Sequence, residues 1–78
     1  MIYSFLQNGD SAVTVQFKNE ISEEVNRRVT GLCNRIEAKH INGIIELVPT
    51  FASLTVFYDC TIISSKKLKK KIEALING

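Results

Sequence analysis

The chain has 78 residues, of which 45% are hydrophobic and 23% charged, and its formal net charge at pH 7 is +2. This length suits one small domain, and this composition is typical of a folded globular protein rather than a disordered one. No apolar run approaches the roughly 20 residues that a membrane-spanning helix needs, and the N-terminus lacks the basic and cleavage regions of a signal peptide. We therefore expect a single cytoplasmic domain over residues 1–78.

The first half of the chain predicts a β-hairpin followed by a helix. Apolar and polar residues alternate over residues 2–6 and again over 12–17, on either side of the turn-forming run Gln-Asn-Gly-Asp. Ser22 is a good N-cap, and apolar residues then recur at helical spacing. We expect this helix to end near His40, with Asn42 and Gly43 as its stop signal.

Residues 43–59 predict a second hairpin, around the single proline of the chain. The alternation places Ile45 and Leu47 on one face of the first strand, and Ile44, Glu46 and Val48 on the other. In the second strand Leu54, Val56 and Tyr58 alternate with Ser53, Thr55 and Phe57. Pro49 has no N–H to donate, so we expect the strand pairing to break there and a short loop to turn the chain back.

The last element is a second helix, capped by Ser64 or Ser65. The predicted order is therefore β-β-α-β-β-α. Each hairpin has one apolar face and each helix one apolar stripe, so the economical packing is a two-layer α+β fold. Its four-stranded antiparallel sheet carries both helices on one face.

This packing leaves the other face of the sheet without a cover. The alternation assigns to it Thr14, Gln16, Ile44, Glu46, Val48, Thr55 and Phe57. Ile44, Val48 and Phe57 are too apolar for a face that meets only water, and apolar surface patches usually mark an interface. We predict that these three residues, together with Glu46, contact a partner.

No arrangement of residues in the sequence is typical of catalysis, cofactor binding or metal binding. His40 is the only histidine, and we interpret it as a solvated residue at a helix end. Asp10, Glu46 and Asp59 are single carboxylates, which we interpret as turn or strand residues. We therefore expect no catalytic residue, no cofactor-binding residue, no metal ligand and no cofactor.

The two cysteines do not change this expectation. Two thiols and one histidine cannot supply the four ligands of a structural zinc site, and a disulfide is disfavoured in the cytosol. Cys33 lies on the apolar side of the first helix and is interpreted as a core residue, while Cys60 follows the last strand and is left open.

The positive charge is concentrated at the C-terminal end. Residues 64–78 carry a net charge of +4, whereas the first 63 residues carry −2. Five of the six residues from Lys66 to Lys71 are lysines, so an alternative function is a small nucleic-acid-binding or anion-binding domain that uses this helix. No aromatic residue is interleaved, and we favour a solvated helix face over nucleic-acid binding or membrane binding.

Three motifs spread over residues 9–59 resemble a known family. They are Gly9, Asp10, Ser11 and Ala12 in the first hairpin; Ile21, Ser22, Asn26, Arg28 and Val29 in the helix; and Gly43, Ile44, Glu46, Val48, Pro49, Ser53, Leu54, Val56, Tyr58 and Asp59 in the second hairpin. With this spacing the chain resembles the N-terminal domain of the KipI-type kinase inhibitors, a family also known as allophanate hydrolase subunit 1 and as the 5-oxoprolinase subunit designated B. Cys60 departs from the pattern, because the family commonly has proline there.

The resemblance implies a non-catalytic protein-interaction domain with a repeated strand–strand–helix plan. In the family it precedes a cyclophilin-like C-terminal domain, which we expect to be absent from this chain. The implied partner is either the partner subunit of an ATP-dependent 5-oxoprolinase or, as in some bacilli, a sensor histidine kinase; a homo-oligomer is a further alternative. The family is a hydrolase family, yet we expect no activity from this chain alone. An enzyme of the pterin-dehydratase type shares this plan, but its chemistry uses several histidines. Because the chain has one histidine, we disfavour this alternative.

Overall fold

The computed structural model describes residues 3–17 and 23–77. Their order is β1 (Tyr3–Gln7), β2 (Ala12–Phe17), α1 (Glu23–Lys39), β3 (Ile44–Pro49), β4 (Ser53–Tyr58) and α2 (Ser65–Asn77). This order confirms the predicted α+β plan. The expected cap at Ser22 and the expected strand start at Ile2 lie outside the described residues.

The two central strands of the sheet form the middle of the core. The strand order is β1-β2-β4-β3 and every neighbouring pair is antiparallel. Val13 pairs with Val56 and Val15 with Leu54, and all four side chains are fully buried. Burying such a side chain contributes about 1.5–3 kcal/mol, so these cross-strand pairs anchor the fold.

Both helices supply the other half of this core. The buried residues of α1 are Val29, Leu32, Cys33 and Ile36. Leu68 and Ile72 of α2 are fully buried in the same cluster. Across the helix layer the Arg35 Nη1 atom donates a hydrogen bond of 3.0 Å to the Leu75 carbonyl oxygen. The predicted two-layer packing, with the helices on one face, is confirmed, as is the interpretation of Cys33 as a core residue.

The helix ends follow local rules. Ser64 is the cap of α2, because its Oγ accepts a hydrogen bond of 3.2 Å from the Lys67 backbone N–H. At the end of α1, His40 takes a left-handed conformation with φ of 49°. A left-handed residue just beyond the last helical turn is a common way to end a helix. The helix therefore stops at the predicted place.

A β-bulge in β3 corrects the predicted faces of Ile44 and Ile45. Ile44 pairs with Tyr58 and Glu46 with Phe57, so Ile45 is an extra residue in the ladder. Ile44 consequently packs against the core, and Ile45 is 70% exposed. The predicted placement of Ile44 on the uncovered face, opposite Ile45, is wrong because strict alternation fails across an inserted residue.

The strand pairing also continues one residue further than predicted. Pro49 is the register partner of Leu54, and the loop is residues 50–52. The Thr50 N–H donates a hydrogen bond of 2.8 Å to the Ser53 carbonyl oxygen and closes this loop. Because β3 is an edge strand, the missing N–H of Pro49 costs little there.

Gly43 is the position where the backbone leaves no room for a side chain. Its φ is +106°, and a Cβ at this position would lie 2.6 Å from Ile63 Cγ2. Its carbonyl oxygen accepts a hydrogen bond of 2.7 Å from the Asp59 N–H. Gly43 therefore lets the start of β3 approach the segment that follows β4.

Gly43→Ala is expected to lower the free energy of unfolding by roughly 2–4 kcal/mol, because the new methyl group adds both backbone strain and overpacking. Gly31→Ala is the matched control. No atom lies within 4 Å of a Cβ built on Gly31, which sits inside α1. That substitution should raise stability by about 0.5–1 kcal/mol through helix propensity. Urea denaturation measures both, and equal effects would contradict the close contact at Gly43.

Candidate functional site

The face of the sheet that points away from the helices is the main candidate surface, and we call it the open face. The strand register assigns to it Ser4, Leu6, Ala12, Thr14, Gln16, Glu46, Val48, Ser53, Thr55 and Phe57. Of the seven residues that the sequence predicted for this face, six lie on it, and Glu46 is one of them. Ser4, Leu6, Ala12 and Ser53 were missed, although the same alternation along β1, β2 and β4 would have found them.

Apolar side chains frame this face. One cross-strand row runs Leu6, Thr14, Thr55 and Val48, and the next contains Ala12, Phe57 and Glu46. Leu6 is 48% exposed, Val48 37% and Phe57 38%. Each of the three is thus partly covered by its neighbours and keeps apolar area in water. The surface combines three apolar side chains with one acidic side chain.

The polar side chains in the middle of the open face form hydrogen bonds with one another and with Asn8. Asn8 Nδ2 donates a hydrogen bond of 2.7 Å to Thr14 Oγ1, and the hydroxyls of Thr14 and Thr55 are 3.0 Å apart. Thr14 is buried. A partner that covers this row therefore need not supply hydrogen bonds to its centre, which lowers the desolvation cost of apolar contact.

The first sequence motif forms a turn that is tied to the end of β4. Gly9 has φ of 72°, which L-residues with a side chain seldom adopt. Gln7 Nε2 donates hydrogen bonds to the Gly9 carbonyl oxygen at 2.6 Å and to the buried Tyr58 hydroxyl at 2.9 Å. The Ser11 carbonyl oxygen accepts one from the Tyr58 N–H at 2.9 Å. Gly9, Ser11 and Tyr58 are therefore structural residues, while Asp10 is exposed.

Asp59 organises the turn after β4. Its Oδ1 accepts hydrogen bonds from the Thr61 Oγ1 at 2.6 Å and from the Thr61 N–H at 2.9 Å. These bonds favour the ionised carboxylate and hold the pKa of Asp59 below its usual 3.8. The Asp59 carbonyl oxygen also accepts from the Ile62 and Ile63 N–H groups at 3.0 and 3.1 Å. Cys60 lies exposed within this turn.

Comparison with known proteins identifies the family. The family model for the carboxyltransferase domain, subdomain C and D, matches residues 3–78. The chain belongs to this family. It is also 47% identical over 57 residues to the 5-oxoprolinase subunit designated B from Bacillus subtilis (strain 168), a match that covers 73% of the chain. The chain spans only 24% of the length of that relative.

Solved structures agree with this family membership. The N-terminal domain of the histidine kinase inhibitor KipI from Bacillus subtilis is 36% identical, with a TM-score of 0.81, and the match covers 97% of this chain and 85% of that one. A conserved uncharacterized protein from Pyrococcus horikoshii is 35% identical, with a TM-score of 0.88, over 95% of this chain and 34% of that one. The resemblance found in the sequence motifs is confirmed.

In this carboxyltransferase-family domain the remaining motif residues sit on the surface. Asn26 and Arg28 are exposed on α1, where Arg28 Nη2 lies 3.0 Å from Glu24 Oε1. Pro49 and Ser53 flank the loop of the second hairpin. His40 is exposed at the end of α1, as the sequence predicted.

Among the described residues, potential metal-binding side chains do not form a cluster. Across residues 3–17 and 23–77, no three His, Cys, Asp or Glu side chains are placed to hold a metal ion, and no helix is long and apolar enough to cross a membrane. Burial raises the pKa of the Cys33 thiol, and the neighbouring Glu37 carboxylate raises it further. Cys33 therefore stays a neutral thiol rather than a nucleophile.

The lowered pKa of Asp59 predicts a loss of stability in acid. The stability that this shift contributes is complete above the usual, unfolded-state pKa of 3.8, and it disappears as pH falls through the lower folded-state pKa. Asp59→Asn should therefore be less stable than the wild type at pH 6 and should lose less stability between pH 6 and pH 2.5.

Urea denaturation at the two pH values measures this difference. Asp10→Asn, the same change at an exposed turn position, controls for the loss of a surface carboxylate. If the Asp59 variant and the wild type lost the same amount of stability on acidification, the Thr61 hydrogen bonds would not favour the ionised form.

Proposed function

We propose that this chain is a non-catalytic interaction domain of a protein like its 5-oxoprolinase relative or KipI, and that it docks a protein partner through the open face. The observation that carries the proposal is the open face itself: Leu6, Val48 and Phe57 stay partly exposed around a polar centre that is already hydrogen-bonded. Glu46 adds one negative charge. The sequence analysis included Ile44 in this surface. The proposal includes Leu6 instead, because Ile44 packs against the core.

The occupant we propose is the partner subunit of a 5-oxoprolinase. The curated relative at 47% identity is named as a subunit, and the KipI relative is named as an inhibitor of a histidine kinase, so both names describe action together with another protein. The matching partner surface is apolar and carries a basic group opposite Glu46. A sensor histidine kinase and a second copy of this chain are the competing occupants.

The proposal assigns positioning, not chemistry, to this domain. The 5-oxoprolinase relative from Bacillus subtilis is about four times as long as the matched segment, and the Pyrococcus protein also extends far beyond it. We propose that the groups that activate ATP and 5-oxoproline belong to those further domains and to the partner subunit. The isolated domain is then inactive, as expected from its sequence.

A chimeric protein tests the docking surface. The matched segment of the Bacillus subtilis 5-oxoprolinase relative is replaced by this domain, and retention of the partner subunit is measured with affinity co-purification and titration. The double variant Val48→Thr, Phe57→Ser should weaken retention about five- to thirtyfold, because it removes apolar area worth roughly 1–2 kcal/mol at the interface.

The matched control makes the same kinds of change outside the open face. Ile45→Thr, Phe51→Ser alters the bulge residue and the hairpin loop, which are 70% and 73% exposed. This variant should retain the partner subunit like the unmodified chimera. Equal weakening by both double variants, or none by either, would contradict docking through the open face. Concentration-dependent sedimentation of the isolated domain that Phe57→Ser abolishes would identify a second copy as the occupant instead.

A further inference from the structure

A cleft between the two helices is separate from the open face. It has a volume of about 590 Å³. Its walls come from the last residues of α1 with the loop that follows, from the loop before α2, and from one side of α2. None of the residues that line it belongs to the open face, so a ligand here does not compete with the proposed protein partner.

The polar wall of the cleft is cationic. Lys39 and His40 contribute from the end of α1, and Lys67 and Lys71, one helical turn apart, contribute from α2. No acidic side chain is among its described lining residues. In the described part of the chain none of these lysines forms an ion pair. These lysines therefore remain available to bind an anion.

Only two of the five lysines of α2 line the cleft. Lys67 and Lys71 line it, whereas Lys66, Lys69 and Lys70 do not. A site for a nucleic-acid backbone would use a continuous stripe of positive charge. Here two lysines instead line one cleft together with Lys39 of the other helix, which suits one compact anion.

The cleft also has an apolar wall, whose position is fixed by hydrogen bonds and by packing. Ile62 and Ile63 line it, and their N–H groups donate to the Asp59 carbonyl oxygen. Ile63 is buried against Gly43, so this wall cannot shift inward. The cleft is thus already formed without a ligand, and its lining combines apolar with cationic side chains.

The end of α2 itself is not the binding group. Ser64 Oγ already accepts the Lys67 N–H, which is one of the free amides of the first helical turn. An anion in the cleft would be held by the lysine side chains. It would also relieve the unfavourable position of Lys67 near the positive end of the helix dipole.

We propose that this cleft binds a small organic anion in which a compact doubly charged group, either a phosphate or a pair of carboxylates, is joined to an apolar part. The volume lies within the range of small-molecule sites, which are mostly apolar and contain a few placed polar groups. The three lysines supply enough positive charge for two negative charges, and the isoleucine wall suits the apolar part. This assignment does not depend on docking at the open face.

The test adds each of two probes, 1-naphthyl phosphate and phthalate, to the 78-residue chain. Two-dimensional NMR measures the binding. At least one probe should shift the amide resonances of residues 39–42 and 67–71, and the tighter binder identifies the charged group. Inorganic phosphate, which has no apolar part, and 1-naphthol, which has no charge, should each bind at least about tenfold more weakly, since each loses one of the two contributions.

A matched pair of double variants locates the site. Lys67→Gln, Lys71→Gln should raise the dissociation constant about tenfold or more, because each lost lysine removes a charge-assisted contact. Lys66→Gln, Lys70→Gln removes the same charge from the same helix and should change it less than about twofold. Thermal melts establish that both variants fold. Absence of binding by both probes, equal effects of the two variants, or equally tight binding of 1-naphthol would overturn the proposal.

Discussion

The burial of one face of β2 and β4 under the two helices is the interaction on which the rest of the structure depends. Val13, Val15, Leu54 and Val56 are fully buried by cross-strand pairing and by the helices above them. In a sheet a one-residue slip would exchange every inward side chain for an outward one, so this burial fixes the register. The same register sets which side chains are left on the open face, and the core thereby determines the composition of the surface.

Several of the residues on which the sequence resemblance rests stabilise the fold at two junctions. The turn at Gly9 is attached to the end of β4 through Gln7 and Tyr58, and at the same end of β4 Gly43 is attached to Asp59. The second junction also positions Ile63 in the wall of the cationic cleft. These two junctions therefore support the fold, while the proposed contacts are made by other side chains, among them Val48 and Glu46 of the third motif.

Much of the fold followed from local patterns, because period-two alternation and helical spacing report directly on which side of an element is buried. The same alternation could not detect the bulge, since one inserted residue moves Ile44 to the core side and leaves Ile45 without a register partner, with no change in residue type. Leu6 was overlooked although its pattern was regular. The cleft was not predictable, because it joins Lys39 to Lys67 and Lys71 only through the packing of two distant helices.

The central claim is that the open face is covered when the domain assembles with its partner. Paramagnetic relaxation by a soluble agent, recorded on side-chain methyl groups, measures this cover directly. In the isolated domain the methyls of Leu6, Val48 and Ile45 should all relax fast, as their exposure requires. In the assembled chimeric protein Leu6 and Val48 should become protected while Ile45 stays accessible. Unchanged relaxation of Leu6 and Val48 on assembly would contradict the account.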